Sequence, residues 1–126
     1  MRATGKLLLA TALCVFTACA TTSAANDVPA IIVRSDAQTG TELQSAVSKA
    51  LNRASVALAD DALTRESTLI IEPERLRDPH GRLAQGREMR MPELFRLVKS
   101  GQRCVLIHER TGQRTALENI KCAATR

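Results

Sequence analysis

An α+β fold is predicted: one N-terminal helix packed on a small antiparallel sheet that finishes in a C-terminal β-meander. Three observations lead there. Apolar residues recur at helical spacing from Leu43 to Ala54, behind hydroxyl residues suited to a helix start. Short β-branched runs at 30–33 and 67–72 stand on either side of that stretch. In the last third, Gly101 and Gly112 separate three strand-like runs.

Residues 30–33 read Ala-Ile-Ile-Val and form the first expected strand. Residues 35–40 are polar and turn-like. A helix is expected to begin near Thr39 or Thr41, since Thr39 with Glu42 and Thr41 with Gln44 both fit the capping box. In that motif a hydroxyl and a later side chain satisfy backbone donors at the helix start. Leu43, Val47, Ala50, Leu51 and Ala54 then share one face, and Asn52 is the expected stop, because Asn tolerates the left-handed conformation that closes helices.

From Ser55 the period changes. Val56 and Leu58 alternate with Ser55, Ala57 and Ala59, the pattern of a strand that could pair with 67–72 as a wide hairpin, the other reading being that the helix simply continues. Asp60, Asp61 and Glu66 fall between them in an expected solvated loop, with no glycine-punctuated calcium loop around them. Residues 92–99 carry helix signals in Pro92, Glu93 and Lys99, but the run Phe95 to Lys99 is read as the first strand of the meander.

Residues 73–91 are the charged middle of the chain. Asp78, Pro79 and Gly81 occupy the first, second and fourth places of a type I turn, with His80 as a turn residue. Arg75, Arg77, Arg82, Arg87 and Arg90 are offset there by Glu72, Glu74, Asp78 and Glu88. A solvated loop is the plain reading. The functional one is a presented loop in which Arg82, Arg87 and Arg90 meet a partner.

The chain has two Phe, no Trp and no Tyr, so its core is aliphatic. Flat rings that stack on sugars or nucleobases are nearly missing, which argues against carbohydrate modules and nucleic-acid binding. Of the five surplus positive charges, Arg2 and Lys6 belong to the first segment, where they precede an uncharged run from Leu7 to Ala18. That run falls short of the roughly 20 residues that span a bilayer, and with its basic head it has the form of a signal peptide.

Phe16-Thr17-Ala18-Cys19 resembles the lipobox of bacterial lipoproteins, with Phe where Leu is usual. The resemblance implies removal of residues 1–18, lipidation of Cys19, a flexible tether over 19–29 and a single small domain over 30–126. Ala20, rather than Asp, implies the outer membrane, with the protein on the periplasmic side of the bacterial envelope. The rival is cleavage after Ala25, which would give a soluble periplasmic or secreted protein.

Export makes Cys104 and Cys122 a disulfide pair. A zinc site would have to gather both with His80 and His108, yet Cys104 and His108 are four residues apart on a strand, about 13 Å, too far to share one ion. A hairpin centred on Thr111 and Gly112 sets Cys104 opposite Asn119. In an unbroken ladder Cys122 would then face the other way, so the bond requires a break, expected at Glu118 and Asn119.

No phosphate-cradling glycine loop, paired-histidine metal motif or Gly-x-Ser-x-Gly elbow occurs. The expectation is therefore a non-catalytic envelope protein without cofactor or metal, whose partner is another envelope protein or an anionic envelope component. The alternative is an inhibitor of an envelope hydrolase acting through the charged loop 73–91.

Overall fold

The structure, a computed structural model, describes residues 26–75, 77–82 and 90–126. Its elements are β1 (Asp27–Ile32), α1 (Ala37–Ala50), β2 (Thr68–Ile71), β3 (Glu93–Ser100), β4 (Arg103–His108), β5 (Gln113–Leu117) and β6 (Cys122–Ala124). Six antiparallel strands run in the order β5-β4-β3-β1-β6, with β2 also paired to β3, and one helix accompanies them. This is the expected α+β class, and β3, β4 and β5 are its meander. β1 opens at Asp27, so residues 27–29 of the expected tether lie in the sheet.

β3 organises the sheet. Along one edge β4 pairs with it from Phe95 to Ser100. The other edge is divided: β2 takes Glu93 to Arg96 and β1 takes Val98 to Ser100, with the Leu97 amide between them donating to the Ser67 carbonyl at 2.7 Å. Residues 92–99 therefore resolve as strand rather than helix. Phe95 and Leu97 fill the interior while Val98 faces a second apolar cluster with Val105 and Ile107, so both faces of the run are buried. A helix would present one stripe only.

α1 is capped by Asp36, whose carboxylate accepts from the Thr39 amide at 2.8 Å, not by the expected Thr39 or Thr41. The hydroxyls are used elsewhere: Thr39 donates to the Arg34 carbonyl and Thr41 to that of Ala37. Glu42, the expected capping-box partner, reaches across to the residues that follow β5, where it accepts from the Glu118 amide at 2.6 Å and the Asn119 amide at 3.1 Å. Leu43 and Val47 are buried as expected. The helix stops at Asn52 (φ 51°), with the Asn52 amide donating to the Lys49 carbonyl and the Arg53 amide to that of Ser48. These are the two bonds of a Schellman closure.

The expected strand over 55–59 does not form, and 67–72 does not pair with it; β2 pairs with β3 instead. The Gln44 amide accounts for this by donating to the Val56 carbonyl at 2.9 Å and the Ser55 hydroxyl at 3.2 Å, which ties the segment to α1 while Val56 packs inward. Leu63, with φ 60°, is left-handed without being glycine, at a cost of about 1–2 kcal/mol. Its side chain is 4% exposed, and burying a leucine returns about 1.5–3 kcal/mol.

The β4–β5 register corrects the expected one: Cys104 faces Leu117 and His108 faces Gln113, so the loop is two residues wider than a tight Thr111–Gly112 turn. A two-residue shift keeps every side chain on its expected face. The ladder breaks at Glu118 and Asn119, as expected, and the chain crosses to β6 on the far edge. Cys104 and Cys122 are joined, with Cα atoms 6.0 Å apart. In a flat sheet the steps from β4 through β3 and β1 to β6 would span about 14 Å. The sheet is curled instead. β1 leaves β3 after Pro29 and pairs through Ala30, Ile31 and Ile32 with β6, folding that ribbon back over the core. The disulfide closes the curl beside Ala30, Ile32, Leu106 and Ile120.

Candidate functional site

His108 ends β4 and points into the core, 4% exposed. Its ring stacks on Phe95, the residue it faces on β3, with centroids 4.7 Å apart and planes 16° from parallel. Both ring nitrogens are engaged. Nε2 lies 2.7 Å from Glu93 Oε2, and Nδ1 lies 3.0 Å from Thr111 Oγ1. The Gln113 amide donates to that hydroxyl at 3.2 Å, and because the Glu93 carboxylate only accepts, Nε2–H is the donor of the His108–Glu93 pair. The second oxygen of Glu93 meets Arg110 at 2.6 Å.

A hydroxyl, an imidazole and a carboxylate in line have the connectivity of an activated nucleophile. The same bonds also hold this end of the sheet together. Thr111 and His108 close the widened β4–β5 loop, and Glu93 ties that loop to the start of β3. The adjoining recess is lined by Glu93 and Arg110, not by His108 or Thr111.

That recess has a volume of about 280 Å³ and is bounded by Arg53, Pro73, Arg90, Met91, Glu93 and Arg110. Four separate parts of the chain build it. Arg53 follows the left-handed turn at Asn52, Pro73 follows β2, Arg90 and Met91 lead into β3, and Arg110 lies in the β4–β5 loop. Arg53, Arg90 and Arg110 share this lining with Glu93, whose oxygens are committed to His108 and Arg110. Among the described residues no group of three His, Cys, Asp or Glu side chains converges as a metal site.

Of the residues singled out from the sequence, Arg90 lines this recess, while Arg82 is turned onto Asp78 within its own turn at 3.4 Å. Arg87 and Cys19 lie outside the described residues. The turn at Asp78 forms as expected: the Gly81 amide donates to the Asp78 carbonyl, and the Asp78 carboxylate accepts from the amides of His80 and Arg82. No shared motif in the sequence singles out Arg53, Glu93, Arg110 and Thr111, which lie on distant segments. A larger groove of about 640 Å³ runs between the first turns of α1 and residues 57–62. Its carboxylates are Asp36, committed to capping α1, and the exposed Asp60, and among the described residues no Lys, Arg or His lines it.

On the sheet face opposite the helix, Arg114 of β5 makes two hydrogen bonds to Asp27 of β1, at 2.6 and 2.9 Å. This pairing holds the Asp27 carboxyl below its ordinary pKa and raises that of Arg114. It links the sheet's edge to the strand that begins the fold. No protein-family model, curated protein or solved structure matches the chain.

Proposed function

We propose that this chain is a small exported cell-envelope protein with a non-catalytic binding role, anchored through a lipid on Cys19 to the periplasmic side of the outer membrane. The buried Cys104–Cys122 disulfide carries the reading. Such bonds persist in oxidising compartments and are rare in a reducing cytosol. The leader-like residues 1–18 supply the route. For the non-catalytic part, the support is that Thr111, His108 and Glu93 spend their hydrogen bonds on holding one loop to β3.

Intact mass of the native protein tests this. The expected species begins at Cys19, carries an acyl adduct, and lacks the pair of thiol hydrogens of the reduced form. A bare chain beginning at Asn26 would replace the lipid anchor with the soluble form. Full-length polypeptide in the cytosol with free thiols would defeat export altogether.

One observation favours the alternative of a hydrolase inhibitor acting through residues 73–91: the turn at Asp78 is braced by its own carboxylate, and a stiff loop loses less entropy on binding. Capture of a hydrolase from periplasmic extract, abolished when Arg82, Arg87 and Arg90 are changed to Ala, would establish it. Undiminished capture would remove it.

A further inference from the structure

We propose that the open edge of β2 receives an extended segment of a partner protein, apolar at its centre and basic at both ends, as an added strand. This rests on the binding role proposed above and names its surface and the kind of partner. Among the described residues the backbone of Thr68–Ile71 is hydrogen-bonded to β3 alone. The Leu97 amide donates to the Ser67 carbonyl, which makes Ser67 and Leu97 a bonded pair at the end of that antiparallel ladder. Bonded and non-bonded pairs alternate, so Leu69 and Ile71 also turn their peptide groups to β3. Thr68 and Ile70 turn theirs outward, a row of donors and acceptors open to another strand. The Glu109 amide donates to the Leu94 carbonyl on the β4 side, which agrees with this phase, since Leu94 is opposite Ile70.

Exposed apolar surface and charge together select this edge and its occupant. Ile70 is 58% exposed and Leu94, its register partner, 39%, so two exposed apolar side chains stand side by side on the outward face. The strands that end the sheet, β5 and β6, expose no large apolar side chain. A further strand with an apolar residue opposite Ile70 extends that row, and such cross-strand pairs stabilise sheets. The charge is equally one-sided. Residues 66–74 hold Glu66, Glu72 and Glu74 and no Lys or Arg. All three are exposed, and none makes an ion pair or side-chain hydrogen bond among the described residues. Arg96, opposite Thr68, is already held by Glu109. By the two-residue period of a strand, Glu66 and Glu72 share the face of Ile70, where basic residues of the partner meet them. A second copy of this chain fits poorly. Antiparallel pairing centred on Ile70 sets Glu66 against Glu74, and like charges placed opposite each other are destabilising.

The test uses the oxidised mature protein and a fluorescent peptide, Lys-Thr-Val-Thr-Val-Thr-Lys, blocked at both ends. Laid antiparallel with its first valine opposite Ile70, it sets its lysines opposite Glu72 and Glu66. A saturable rise in anisotropy at low salt is expected, with Ile70→Thr weakening binding about tenfold. Exchange of both lysines for glutamate is expected to weaken it at least as much. Ile70 is exposed, so its replacement leaves the core intact, and a matching thermal unfolding curve checks this. Val33→Thr, at an exposed valine beyond the end of β1, is expected to leave binding unchanged. Hydrogen exchange of the complex is expected to slow at the Thr68 and Ile70 amides. Absence of saturation up to about 5 mM peptide would overturn the proposal. So would equal binding of the glutamate peptide, slowed exchange at β5 instead of β2, or self-association through β2 without peptide. None of these results bears on acylation at Cys19 or on the disulfide, which intact mass reads, so the two readings fall separately.

Discussion

The two ends of β4 are secured by different chemistry. Near its start, Cys104 is bonded covalently to β6 across a curled sheet. At its end, His108 is held by hydrogen bonds to Glu93 and Thr111 and by the ring of Phe95. The first attachment joins strands that are not neighbours in the sheet and constrains the unfolded chain as well as the folded one. The second is local to one hairpin and its adjoining strand, and depends on each polar group keeping its partner. What the contrast teaches is a division of labour: the covalent end sets the closure of the fold, and the polar end shapes a charged surface.

The largest effect is expected at the covalent end. The double change Cys104→Ala with Cys122→Ala releases a link across 18 positions of sequence, a loss of about 3 kcal/mol in the chain-entropy account. Thermal unfolding by circular dichroism should show a fall of roughly 12–24 °C, using the usual sensitivity of a domain this size. A smaller loss is expected at the polar end. His108→Phe keeps a ring on Phe95 but strips Glu93 and Thr111 of a partner, for about 2 kcal/mol by chemical denaturation. If His108→Phe proved the more damaging, the division of labour would be reversed.

How much of this was legible beforehand follows from the range of the interactions. The helix, the meander and the cysteine pairing were readable because each rests on local spacing: Leu43 with Val47, the glycines at 101 and 112, and two thiols in an exported chain. The break at Glu118 and Asn119 followed from strand parity alone. The true register did not, because it depends on the Thr111 hydroxyl bonding back to His108 and widening the loop. Likewise Val56 reads as strand until Gln44, on the helix, takes its carbonyl. The recess was out of reach, since Arg53 and Arg110 come to line one space only after the sheet has formed.

The smallest effect is expected on the opposite sheet face, at Asp27. Its folded pKa is depressed below the ordinary value of 3.8, chiefly by hydrogen bonding from Arg114. Its stabilising contribution is therefore complete above that value and is lost as pH falls through the lower folded pKa. Asp27→Asn should cost about 1 kcal/mol at neutral pH, as suits a partly exposed pair. Stability of the variant should also fall less steeply on acidification than that of the parent. Parallel acid-unfolding curves would show that the Arg114 pairing contributes nothing.

Closure of the curled sheet by the Cys104–Cys122 bond is tested most directly by amide hydrogen exchange on the native protein before and after reduction. The account predicts that reduction strips protection first from β6 and from Ala30, Ile31 and Ile32 of β1, while the β3–β4 ladder keeps its slow exchange. Unchanged protection of the β1–β6 ribbon in the reduced protein would contradict it.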